Sequence, residues 1–103
     1  MDKKKLIGYL NIAIKAGKVV FGVDAILAYR KKNYGVIICS TLSDNSRRKT
    51  VEFCTDSDLP FVVLGSGVLL SWLVSRTGVK AIAITNKQLY TILENIIIGG
   101  APT

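Results

Sequence analysis

The chain has 103 residues, of which half are hydrophobic and 20% are charged. That balance excludes a disordered chain and predicts one domain over residues 1–103, able to bury roughly two-thirds of its unfolded surface. Fourteen Lys and Arg against seven Asp and Glu leave a net charge of +7, a field that attracts polyanions and also serves solubility.

In chain order, residues 3–16 place Leu6, Ile7, Leu10, Ala13 and Ile14 at helical spacing with lysines opposite, which predicts an amphipathic helix stopped at Gly17. Residues 18–21 form a short valine-bearing run, broken by Gly22. Residues 24–32 read as a second helix, with Asp24 placed to cap it and Lys31 and Lys32 at its end. Val36 to Cys39 is a buried strand, and the polar stretch 40–45 is a loop. A third helix, capped by Asn45 or Ser46, runs to about Asp58, with Val51, Cys54 and Phe53 facing inward and Arg47, Arg48 and Lys49 outward. Residues 61–64 predict another buried strand, residues 65–67 a turn, and residues 68–75 a short apolar helix. Residues 81–84 form the next strand, Asn86 starts a final helix through Leu89, Ile92, Leu93 and Ile96, and residues 99–103 are expected to fray. Short apolar strands alternating with helices imply a three-layer α/β/α sandwich around a small central sheet.

Several functional classes are disfavoured. The uncharged stretch 59–75 is shorter than the ~20 residues of a membrane span and carries Pro60, Gly65 and Gly67. Lys15 and Lys18 interrupt any secretory core, so a cytoplasmic chain is expected. Cys39 and Cys54 lack metal-site spacing and read as reduced, buried hydrophobes. The chain has no histidine, the commonest catalytic base, and Asp56 and Asp58 read as solvated charges, so no enzyme and no cofactor are expected. Gly65-Ser66-Gly67 is an alternative candidate for small-molecule nucleotide binding, but it lacks the lysine and hydroxyl of a phosphate loop.

The basic clusters carry more. Lys18, Lys31 and Lys32 flank the Gly22 break and can neutralise phosphates. Structured RNA is read mainly at loops and splayed bases, for which Gly22, Asp24, Thr41, Asp44 and the Arg76-Thr77-Gly78 turn are available.

At residues 15–24, Lys-Ala-Gly-Lys-Val-Val-Phe-Gly-Val-Asp, the chain resembles the ribosomal L-seven-Ae and L-thirty-e family of kink-turn RNA-binding proteins, and is most similar to its bacterial YlxQ-like branch. The resemblance runs from Leu6 to Ile96, through Asp44-Asn45-Ser46, Leu59-Pro60-Phe61 and the segment from Ala81 to Asn86. It implies a site in which Gly22 opens the second helix and Lys32 ends it. Asp24 stands where the family has asparagine, Ala25 where it has glutamate and Ala28 where it has lysine, so the side chains there offer a different set of hydrogen bonds. The implied second contact loop falls on Arg76, Thr77 and Gly78, with Ser75 in place of a closing glycine, and Asp44 matches an acid at the head of the third helix. The implied partner is a kink-turn or related internal-loop RNA, with ribosomal or other particle proteins as neighbours. The alternative within the same fold is a protein-contact scaffold using Tyr9, Phe21 or Trp72 as an apolar patch.

Overall fold

The fold is organised by two central strands that are apolar at every position. In the computed structural model, which describes residues 2–99, β2 (Gly35–Ile38) and β4 (Ala81–Ile84) are buried throughout. Residues 100–103 of the expected frayed tail lie outside the described part. β4 is antiparallel to β2 on one side and to β1 (Val19–Phe21) on the other, while β3 (Phe61–Val63) runs parallel to β2. The sheet is therefore mixed, in the order β1-β4-β2-β3.

Successive strand residues point to opposite faces, and both faces are covered. Ile37, Cys39, Ile82 and Ile84 pack under α1 (Lys3–Lys15), α4 (Leu70–Leu73) and α5 (Lys87–Ile98), against Leu6, Leu10, Leu70 and Leu93. Val36, Ile38, Ala81 and Ala83 face α2 (Val23–Ala28) and α3 (Asp44–Asp56), against Ile26 and Cys54. The result is an α/β/α sandwich. Each fully buried Leu or Ile stabilises it by about 1.5–3 kcal/mol. Among the described residues, no helix is long and apolar enough to cross a membrane.

Helix ends are built differently in long and short helices. Asp2 accepts from Lys5 N–H at 3.0 Å, Ser43 from Ser46 N–H at 3.3 Å and Asn86 from Leu89 N–H at 2.9 Å. The caps of α2 and α4, at Gly22 and Leu69, make no side-chain hydrogen bond, and those helices are held by buried Ile26, Leu70 and Leu73.

Four expectations are corrected. Ser43, not Asn45 or Ser46, caps α3, because the helix already begins at Asp44. Arg47 turns back rather than outward, its Nη2 donating to Ser40 O at 2.8 Å. The strand at 61–63 is not buried: it forms a sheet edge, with Phe61 39% and Val63 38% exposed. The helix expected over 68–75 shrinks to a single turn at Leu70–Leu73.

Candidate nucleic-acid interface

The turn from β1 into α2 is set by Gly22, at φ 91°, a conformation that favours glycine. Its N–H donates to Ala81 O at 2.8 Å and its carbonyl accepts from Ile26 N–H at 3.0 Å, so the turn is tied to both sheet and helix. Among the described residues, apart from Gly22 and its two chain neighbours, no atom lies within 4 Å of where a Cβ would stand, and the space above the glycine is open. Asp24, Ala25 and Ala28 are exposed on the helix that follows. Asp24 lies in its first turn but does not cap it.

α2 also ends earlier than expected, at Ala28, with Tyr29 extended at ψ 124°. The chain leaves the helix there to reach the sheet, where Tyr34 N–H donates to Ile84 O at 2.8 Å. Lys31 and Lys32 consequently sit on the connection to β2, not on a helix end.

The second loop follows α4. Ser75 takes φ 55° and Gly78 φ 79°, so Ser75 keeps a left-handed turn where glycine is favoured. Arg76, Thr77 and Gly78 are exposed. The Arg76 guanidinium lies over the Phe21 ring, 4.0 Å from its centroid, which brings this loop against the residue preceding Gly22.

One end of the sheet therefore gathers the Gly22 turn, the loop 76–78 and the start of α3. Asp44 lies at this end, and a shallow groove beside Gly22, Asp24 and Ala25 is also lined by Ser46 and Lys49. Lys18 stands at the opposite end, its carbonyl accepting from Thr85 N–H at 2.9 Å. At ~3.4 Å per strand residue, the four steps along β1 separate it from Gly22 by about 14 Å. Lys31 and Lys32 line a different groove with Arg30, Tyr34 and Lys87. There Lys32 Nζ sits 5.5 Å from the Tyr34 ring centroid, and the buried Asn33 Oδ1 has no hydrogen-bond partner among the described residues.

Sequence reasoning missed Lys49, Arg30 and Lys87 as members of these surfaces and took Phe21 only for an apolar patch. Lys49 was visible as an outward cation on α3; its neighbour across the groove was not. Of the residues taken for an apolar patch, Tyr9 and Phe21 are half-buried and Trp72 is 79% exposed. The Gly65–Gly67 segment forms a turn in which Val68 N–H donates to Gly65 O at 3.1 Å, and the helix beyond it is one turn long.

Cys39 and Cys54 are free and buried, on opposite faces of the sheet. Burial pushes the Cys39 thiol up, but backbone hydrogen bonds at Leu70 and Thr41, the Thr41 hydroxyl at 3.1 Å and the Lys80 charge together hold it below its ordinary value. Cys54 has only burial acting on it, and is pushed up to about 11.

Fold and surface together define an α/β sandwich with one open, loop-built end, where Asp24 and Lys49 share a groove, and a basic groove at the other end. A solved structure of a protein with unknown function from Bacillus halodurans C has the same fold, with a TM-score of 0.81 at 18% identity over 91% of this chain and 97% of that one. No protein-family model and no curated protein matches the sequence.

Proposed function

We propose that this chain is a non-enzymatic RNA-binding protein of the cytoplasm, recognising a kink-turn or related internal-loop RNA as part of a ribosomal or other RNA-protein particle. The observation that carries this reading is the adjacency of the Gly22 turn and the Arg76-Thr77-Gly78 loop, joined by Arg76 on Phe21. These are the two loops for which the sequence resemblance implies RNA contact. Open space above Gly22 admits a sugar-phosphate backbone, Arg76 offers a planar set of donors to phosphate, and Asp24 accepts from base amino groups. Lys49 adds charge beside them, and Lys18, Lys31 and Lys32 meet phosphates farther along the RNA.

The test is a gel shift with a kink-turn RNA beside a straight duplex of equal length, repeated over a range of salt. Selective binding that weakens with salt, by about 0.7 in log-log slope per phosphate neutralised on unpaired strands, is the expected result. Equal weak binding to both RNAs overturns it.

A further inference from the structure

Trp72 is 79% exposed although it sits between two anchored residues, Leu70 and Leu73, which are 0% and 4% exposed. Their burial fixes the single turn of α4 and presents the indole to solvent. Hydrophobic burial alone does not account for this placement, since a tryptophan is among the side chains that gain most from being covered.

The indole stands between two shallow grooves. The one on the Arg76 side is lined by Ile7, Asn11, Ser75, Arg76 and Thr77, and the other by Lys3 with the apolar Ile7, Val68 and Leu69. Neither groove is lined by an Asp or Glu. The first runs directly into the loop 76–78, so the surface is continuous with the proposed RNA contact. Arg76 rests on Phe21, which holds the guanidinium in place at the junction.

We infer that Trp72 is a stacking platform for an unpaired base, in a strand that continues from the RNA held at Gly22 and Arg76 and whose phosphates pass Arg76 and Lys3. An exposed π-face flanked by cations on a surface without acids is the arrangement that binds single strands without sequence preference. A protein partner would meet Ile7, Val68 and Leu69 as well as Trp72, but the cations Lys3 and Arg76, with no acid in either groove to pair them, favour a polyanion. The inference rests on the RNA-binding reading and adds a second kind of contact to it.

Trp72 is the chain's single tryptophan, so its fluorescence reports on this site alone. The full chain is titrated with a kink-turn RNA that is blunt, or that carries a short unpaired adenine tail at the 5′ or the 3′ end. Quenching and about tenfold tighter binding with one tail are expected, since stacking of a base on an aromatic ring is worth roughly that much. Trp72→Ala should abolish the gain and leave blunt RNA binding unchanged, and Trp72→Phe should restore part of it, with circular dichroism confirming that both variants fold. If blunt RNA binds and neither tail quenches or tightens, the inference falls and the RNA-binding reading stands. If no RNA binds, both fall. Loss of self-association in Trp72→Ala by sedimentation, with no effect of tails, would assign the surface to a second copy and overturn the inference.

Discussion

Gly35 and Tyr90 meet so closely where α5 crosses β2 that a Cβ on Gly35 would overlap the tyrosine ring. The ring is 3% exposed, and its hydroxyl donates to Glu94 Oε2 at 3.0 Å. Gly35→Ala is therefore expected to destabilise the fold by about 1–3 kcal/mol, the usual cost of overpacking. Denaturant unfolding measures it. In Tyr90→Leu the second substitution should cost far less, and a purely additive pair would contradict the contact.

The position of the α3 cap separates two serines three residues apart. Ser43→Ala should lower stability by about 1 kcal/mol through loss of the bond to Ser46 N–H, whereas Ser46→Ala keeps that backbone donor and its partner. Equal thermal shifts for the two variants would place the cap elsewhere.

Cys54 makes stability fall with rising pH. Burial raises its thiol from 9.0 to about 11 in the folded chain. Below the unfolded value both states are neutral and the contribution is fully present. Between the two values the unfolded chain loses a proton that the folded chain keeps, so ν_U is less than ν_N and unfolding becomes easier. Roughly 2–3 kcal/mol is lost across that window, and burial of Tyr90, with its hydrogen bond to Glu94, acts in the same direction. Cys39, held low, acts with the opposite sign. Urea unfolding from pH 7 to pH 10.5 should show a steeper decline in the parent chain than in Cys54→Ala; parallel curves would refute the assignment.

Arg76 is expected to matter through both its charge and its plane. Arg76→Ala should weaken RNA binding and reduce the salt dependence by about 0.7–0.9 in log-log slope, the loss of one neutralised phosphate. Arg76→Lys keeps the charge but not the planar fork, so it should recover the slope and only part of the affinity. Phe21→Leu should reproduce that partial loss by removing an aromatic contact worth about 0.5–1 kcal/mol. Filter binding at several salt concentrations distinguishes these, and an Arg76→Ala variant with an unchanged slope would remove Arg76 from the interface.

Most of the architecture was legible because it follows from local signals. The apolar runs at 36–39 and 81–84, the helical spacing of Leu6, Leu10 and Ala13, and the cap at Asn86 each state a local preference that the fold satisfies. The departures lie where the neighbours decide. Phe61 and Val63 look like any buried strand, yet they are half-exposed because β3 pairs on one side only. Tyr90, and not Leu89 or Ile92, is fully buried in α5, because glycine at position 35 leaves room for its ring.

The candidate interface divides in the same way. Gly22 was visible as a chain break, and its positive φ explains why glycine stands there. The loop 76–78 was visible as a basic turn. That Arg76 reaches Phe21, and that Lys49 closes the groove beside Asp24, follows from antiparallel pairing of β1 with β4 and from the packing of α2 on α3.

The sequence by itself determined the class of the fold, the order of its elements, the glycine at the turn and the basic character of the surface, since backbone preference, burial and charge are properties of short segments. Only the tertiary structure decided which charges stand together. Strand order and direction place Gly22 and Arg76 at one end of the sheet and Lys18, Lys31 and Lys32 at the other, and strand order is set by contacts between residues far apart in the chain.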